Sequence, residues 1–256
     1  MTRIICISNE KGGVAKTTTA VNVAHAMTML GKRVLLIDFD PQGSATLALG
    51  MEQSPATYDL LVDGEPLKKL VVQARDKLDL LASDYSLAEA RDIVTAQYNS
   101  ADPERRRRAA EKLKKALSRQ LRVYDYVLID CSPSLSVLNL NALMAADELL
   151  VPVSADFLSA AGTNQHLETL ELIENLGGSV ELTYIVPTRY DGRTNRARRI
   201  VEILKETFGG LVTDPIRTNT HLGESALYGQ TIFEHRPNSN GAADYMALAK
   251  VVVGNE

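Results

Sequence analysis

The feature that most restricts this chain is the passage from RIICIS, residues 3 to 8, through NEKGGVAKTTTA, residues 9 to 20, into a helical pattern. A strand that ends on a glycine-containing loop, with the loop opening a helix, is the context a phosphate site needs. Glycines let backbone N–H groups come close to phosphate, and the helix N-terminus favours an anion. Gly12 and Gly13 would supply that approach, Lys16 would bind β- and γ-phosphates, and Thr17 would ligate Mg²⁺ through its hydroxyl. The standard pattern G-x-x-x-x-G-K-[ST] is not met. Glu10 and Ala15 stand where its glycines belong, and an extra lysine, Lys11, stands near the start of the loop. The plainer alternative is a glycine-rich turn with solvated lysines, but strand, loop, lysine, threonine and helix all agree on the first.

Strand and helix patterns alternate along the rest of the chain. A helical pattern from Thr17 to Leu30 places Ala20, Ala24 and Met27 on one face, and Gly31 is a natural stop. RVLLIDFD (33 to 40), LDLLA (78 to 82), YVLID (126 to 130), LLVPV (149 to 153) and LTYIV (182 to 186) read as strands, with Pro152 weakening the fourth. Asp102, Pro103 and Glu104 read as N-cap, N1 and N2 of a helix running to about Arg122. Further helices are expected over Gly162 to Leu176, Asn195 to Phe208 and Ala242 to Val252. This alternation implies an α/β fold, a three-layer sandwich with a mostly parallel sheet and helices on both faces. Residues 1 to 256 read as a single domain without repeats. Within 52 to 100 a short helix pair is expected rather than further sheet.

Composition sets limits on function. At 256 residues and 45 % hydrophobic content the chain can bury a sizeable core. Its net charge of −4 excludes a globally basic nucleic-acid binder, so any polyanion contact must be local. Cys6 and Cys131 both lie in apolar runs and read as buried reduced thiols. The opening MTRIICIS is too short for the core of a signal peptide or a membrane helix, which leads to the expectation of a soluble cytoplasmic protein.

A triphosphate site also needs carboxylates at the C-terminal ends of neighbouring strands. RVLLIDFDPQG supplies Asp38 and Asp40, and YVLIDCSPS supplies Asp130. Each reads as a Mg²⁺-holding or water-positioning group; the alternative is an aspartate that only caps a turn or helix.

The runs KGGVAKTTTAVNVA, LLIDFDPQGSAT and YDYVLIDCSPSLSVLNLNAL together resemble the ParA/MinD/Soj group of deviant-Walker P-loop ATPases. RYDGRTN and GESALYGQTIFEHRPNSNGAADYMALA extend the resemblance, toward the ParA-type partition ATPases, over almost the whole chain. The resemblance implies the P-loop NTPase fold, ATP and Mg²⁺ as ligands, and slow, partner-stimulated hydrolysis. The ATP loop would comprise Lys11, Gly12, Gly13, Val14, Ala15, Lys16, Thr17 and Thr18. Lys11 falls at the family's signature lysine, which reaches across an ATP-dependent homodimer to the phosphates held by the other subunit. By the same resemblance Asp40 positions the attacking water, Asp38 supports the Mg²⁺ shell, and Asp130 holds the metal through water. The family pattern begins at Lys11, so Glu10 is no departure. Ala15 replaces the commoner glycine, and Ser132–Pro133 replaces a usual pair of prolines.

Between residues 189 and 199 the chain reads RYDGRTNRARR. Arg189, Arg193, Arg196, Arg198 and Arg199, with Arg217 and Lys250, are candidates for contact with the DNA backbone. Composition alone favours a solvated helix face; the resemblance favours nonspecific DNA, nucleoid association and an activating adaptor of ParB type. The run Arg105 to Arg108 with Lys112, Lys114 and Lys115 is interleaved with Glu104 and Glu111 and reads as a solvated surface helix. A MinD-like membrane-associated regulator is the alternative, but it needs a basic amphipathic C-terminal helix, and MALAKVVVGNE carries one lysine. An iron–sulfur reductase lacks the cysteines, and a metabolite enzyme lacks a substrate constellation.

Overall fold

A computed structural model describes residues 2–118, 120–134, 136–155 and 171–254. Seven strands form one sheet: β1 (Arg3–Ile7), β2 (Val34–Phe39), β3 (Val72–Arg75), β4 (Leu78–Leu81), β5 (Tyr126–Cys131), β6 (Glu148–Ser154) and β7 (Glu181–Thr188). Their order is β3-β4-β2-β5-β1-β6-β7, and every pairing is parallel except β3 with β4. Strand β1 therefore lies inside the sheet, next to the central strand β5, with β5 and then β2 on one side and β6 on the other. Parallel strands carry their C-terminal ends to the same edge, so the loop after β1 opens beside the ends of β2 and β5. In register, Ile7 stands opposite Asp130, and Asp130 opposite Asp38.

All six residues of β2 and all six of β5 are buried. Alternate side chains feed two separate cores. Leu35, Ile37 and Phe39 join Val127, Ile129 and Cys131 in one; Val34 and Leu36 join Tyr126 and Leu128 in the other. The first core is covered by helices including Ser86–Tyr98, Pro103–Ala110 and Val137–Ala145, the second by helix α1 (Lys16–Met29) and the helix Asn240–Gly254. Ala20, Ala24 and Met27 are all fully buried against it, as their spacing requires. Gly31 ends α1 at φ +91°, where its N–H meets the Thr28 carbonyl at 2.9 Å and the Lys32 N–H meets that of Met27 at 3.1 Å.

Several expectations need correction. The stretch 52 to 100 holds short helical turns, but also β3, which pairs antiparallel with β4, and the helix Ser86–Tyr98. Strand β3 is half exposed at the sheet edge, so its sequence carries no continuous apolar run. The helix begun by Asp102, whose carboxylate accepts the Glu104 N–H at 3.0 Å, breaks at Glu111 and ends at Leu117 rather than Arg122. Val137–Ala145 and His221–Leu227 are helices that periodicity did not single out. The former is buried at every position, which removes the polar face that an amphipathic pattern needs. The helix expected over Gly162 to Leu176 lies mostly outside the described residues, with 171–175 helical. Pro152 is accommodated inside β6 because β1 ends opposite Leu150, so no N–H is required on that side.

Candidate functional site

The loop after β1 is built around its own lysine. Asn9 holds its two ends: its amide donates to the Pro152 carbonyl at 2.8 Å, and its side-chain oxygen accepts the Lys11 N–H at 3.0 Å. On the far side the Thr188 hydroxyl donates to the Val14 carbonyl at 3.0 Å. Lys16 opens α1, is 7 % exposed, and donates to the Lys11 carbonyl at 3.0 Å. Burial lowers the Lys16 ammonium pKa, against the pull of Asp130, Cys131 and Asp40. Gly13 and Ala15 both take left-handed backbone, at φ 74° and 69°. That conformation is free to glycine and costs an L-residue roughly 1–2 kcal/mol. Ala15 thus bends the chain as a glycine would. Gly12 and Gly13 have open space where a Cβ would project, and both are exposed.

The three aspartates have different surroundings. Asp38 is fully buried, and its Oδ2 accepts both the Thr46 N–H at 2.8 Å and the Thr46 hydroxyl at 2.7 Å. Burial pushes its pKa up to about 6, while the Thr46 bonds work the other way. This carboxylate holds the start of the helix Ser44–Ala48 against the end of β2, so its expected support of a metal shell is indirect. Asp40 is 9 % exposed, and its Oδ1 accepts the Gln42 N–H at 2.9 Å. Asp130 is 1 % exposed, and neither of its oxygens has a hydrogen-bond partner of good geometry. Burial and then the nearby Asp38 charge raise its pKa well above the ordinary carboxylate range; the Thr17 hydroxyl and Lys16 pull weakly the other way. An orphaned buried carboxylate beside a hydroxyl and two further acids is a donor set of hard oxygens, which suits Mg²⁺ with water in its shell.

These groups border a cleft of about 740 Å³. Gly13, Ala15, Lys16, Thr17, Thr18 and Asp40 line it, as expected for the phosphate end. Val14, Asp38 and Asp130 are buried and do not line the cleft, and Lys11 and Gly12 are exposed outside its lining. Motif reasoning missed the rest of the lining, which includes Thr188, Ile216, Asn219, Thr220, Leu222, Gly223 and Tyr245. The one signal for it was the late GESALYGQ stretch, which carried resemblance but no recognisable chemistry.

The candidate DNA-binding residues divide. Arg189, Arg196 and Arg217 border the same cleft. Tyr190 and Arg217 form a parallel bridge, with Tyr190 N–H to Ile216 O at 3.0 Å and Thr218 N–H to Tyr190 O at 2.9 Å, which brings Arg189 beside Arg217. Arg217 is paired with Asp244 at 2.6 Å, Arg193 with Asp191 at 2.8 Å, and Arg199 with both Glu202 and Glu206 at 3.2 Å. Arg198 donates to Asn195 at 2.6 Å, and Lys250 is exposed on the last helix. The other basic run is solvated as expected: Arg107 and Lys115 both pair with Glu111, at 2.9 and 3.1 Å. Cys6 and Cys131 are buried free thiols with sulfurs 3.4 Å apart. Among the described residues no helix is long and apolar enough to cross a membrane.

Comparison with known proteins agrees with this geometry. A family model described as an AAA domain matches residues 2–181. The chain is 42 % identical over 253 residues to the chromosome-partitioning ATPase Soj of Thermus thermophilus, covering 98 % of this chain and 95 % of that one. It is 36 % identical over 261 residues to the sporulation initiation inhibitor protein Soj of Bacillus subtilis, covering 100 % of both. Among solved structures, the Mycobacterium smegmatis cobyrinic acid a,c-diamide synthase with bound ATP analogue and magnesium superposes with a TM-score of 0.82 at 30 % identity, covering 99 % of this chain and 95 % of that one. The ATP complex of Cyanothece McdA(D38A) reaches a TM-score of 0.83 at 23 % identity, with 99 % and 96 % coverage, a likeness of fold. With the strand–loop–helix phosphate site, the three strand-end aspartates and full-length similarity to the Soj proteins, the chain belongs to the ParA/Soj family of P-loop ATPases, with ATP and Mg²⁺ as its ligands.

Proposed function

We propose that the protein dimerises on ATP, binds DNA of any sequence in that form, and releases it after hydrolysis stimulated by a partner of ParB type. Its output would be the positioning of a cargo, whether plasmid, chromosome origin or protein assembly, along the nucleoid. The observation that carries the reading is the contrast between the two loop lysines: Lys16 is buried and turned into its own loop, while Lys11 is exposed. An exposed cation beside a phosphate site favours a second subunit whose ATP it can reach, in the manner of an arginine finger supplied in trans.

Within this proposal each residue has a distinct task. Backbone N–H groups from Gly12 to Thr18 and the Lys16 ammonium bind the phosphates. Thr17 and Asp130 would hold Mg²⁺, which when bound offsets charge on the phosphate oxygens. Asp130 can do so because its buried oxygens make no hydrogen bond of good geometry, and the Thr17 hydroxyl beside them belongs to the same ligand set. Asp38 is a positioning residue: it secures Thr46, and its Oδ1 accepts the Asp40 N–H at 3.4 Å. Asp40 orients the attacking water. Arg189, Arg196 and Arg217 border the same cleft as the phosphate loop, so a charged DNA-contacting surface there would be coupled to what the cleft holds.

The membrane-associated alternative gains nothing from the fold. The helix Asn240–Gly254 buries Tyr245, Leu248, Ala249 and Val252 in the core beside α1, so its apolar face is already covered.

The test is light scattering and DNA retention on the purified protein. Mg²⁺-ATP should give a dimer that retains plasmid-length DNA of arbitrary sequence, in a salt-sensitive way. Lys11→Ala should still bind ATP but stay monomeric. Nucleotide-independent DNA binding, or normal dimerisation of Lys11→Ala, would overturn the proposal.

A further inference from the structure

His221, Glu224 and His235 bring three metal-ligating atoms within 4.8 Å of one another, outside the ATP site. His221 Nδ1 lies 2.7 Å from Glu224 Oε2, and His235 Nε2 lies 3.4 Å from the same oxygen. His221 and Glu224 are three residues apart on the helix His221–Leu227, so they share a face. His235 returns to that face at the end of the helix Ile232–His235.

The frame is held independently of the cluster. Gly229 turns the chain at φ +62°, and the Gln230 N–H bonds back to the Ser225 carbonyl at 2.9 Å. Thr231 and Glu234 form a reciprocal cap at the start of the second short helix, and Glu234 also pairs with Arg75. The His235 ring stacks on Tyr228, with centroids 5.5 Å apart.

The hydrogen-bonding pattern at His235 is unbalanced. Its Nδ1 is 3.4 Å from Gln230 Oε1 and its Nε2 is 3.4 Å from Glu224 Oε2, so both nitrogens face oxygen acceptors. A neutral imidazole has only one N–H. With that proton turned to Gln230, the Nε2 lone pair points at a carboxylate. A cation seated between Nε2, the carboxylate and His221 removes the conflict, and leaves Gln230 as the outer acceptor that orients a ligating histidine.

From this geometry we infer that His221, Glu224 and His235 form a binding site for one transition-series dication of the zinc class. Tetrahedral coordination at about 2.0–2.1 Å sets ligand atoms roughly 3.3 Å apart; the His235–Glu224 contact is 3.4 Å, the His221–Glu224 contact of 2.7 Å must open, and the two imidazoles, within 4.8 Å of each other, can close onto the ion. The side chains are 38, 47 and 14 % exposed, so the fourth position opens to solvent. Two imidazoles and a carboxylate select zinc, cobalt, nickel or copper over magnesium, so the ATP-associated cation does not compete. The ion would clamp the helix His221–Leu227 to its neighbour. Leu222 and Gly223 of that helix line the nucleotide cleft, so the clamp braces one wall of it from behind.

The test is zinc titration by calorimetry of the full chain with magnesium in excess, alongside cobalt absorption. One zinc per chain is expected, with cobalt d–d bands and no thiolate charge-transfer band, which excludes Cys6 and Cys131. His221→Asn and His235→Gln should lose the site, and Gln230→Ala should weaken it about 10–100-fold. Circular dichroism establishes that each variant is folded. Absence of uptake by the folded wild-type protein would overturn the inference and leave the cluster a hydrogen-bonded histidine–carboxylate group. So would uptake that both histidine variants retain.

Discussion

Ala15→Gly is expected to stabilise the protein. Ala15 has φ 69° and ψ 35°, immediately before α1, and no side-chain cap accompanies it. A left-handed L-residue costs roughly 1–2 kcal/mol, and glycine removes that cost. Against this, glycine loosens the unfolded chain by roughly 0.4–1 kcal/mol. The difference is about 0–1.6 kcal/mol, centred on ~0.8, which for a chain of this size raises the melting temperature by about 2–3 °C. Urea denaturation without nucleotide is the assay, because bound nucleotide would add its own stabilisation. The midpoint should rise with the slope unchanged. Ala96→Gly is the control: Ala96 is exposed within the helix Ser86–Tyr98, and the same change there should cost roughly 0.5–1 kcal/mol. If the two variants shift the midpoint in the same direction, or Ala15→Gly lowers it, strain at Ala15 is not the reason for the family's usual glycine.

Asp40→Ala should bind ATP and form the dimer but hydrolyse ATP at least tenfold more slowly, as general base and water-positioning groups contribute about 10²–10⁴; single-turnover phosphate release measures it, and normal turnover would move the role elsewhere. Asp38 gives a pH signature. Its folded pKa of about 6 lies above the unfolded value of about 3.9, so its contribution is fully present below pH ~4 and is lost as pH rises through ~6. The stability difference between wild type and Asp38→Asn should therefore change across that window, and a flat difference in urea titrations from pH 4 to 7 would refute it. Arg189→Ala and Arg196→Ala should each weaken DNA binding uniformly across sequences and reduce the salt slope by about 1. Arg193→Ala and Arg199→Ala, whose guanidinium groups already pair with carboxylates, should do less.

Much of the sheet was legible because parallel strands buried on both faces read as unbroken apolar runs. β2 and β5 needed nothing beyond their own residues to be recognised, and the acidic residues at their ends pointed to the site. The edge strand β3, with two exposed and two half-buried residues, and the wholly buried helix Val137–Ala145 lacked any period of their own. Each takes its conformation from the neighbour it packs on.

The local sequence decided the phosphate loop, the helix it opens and the set of charged groups available for ATP. It did so because backbone freedom at glycine, a helix N-terminus and short apolar strands are properties of a few consecutive residues. Which of these aspartates is held by protein donors was decided only in three dimensions. Asp38 and Asp130 follow similar apolar runs, but Thr46, eight residues further on, takes up the first, while the second has no hydrogen bond of good geometry. The rest of the cleft lining and the His221–Glu224–His235 cluster likewise depend on chain segments that meet only after the sheet has formed. Side-chain chemistry is written residue by residue, whereas the competition for each hydrogen bond is settled by whatever the fold brings within about 3 Å.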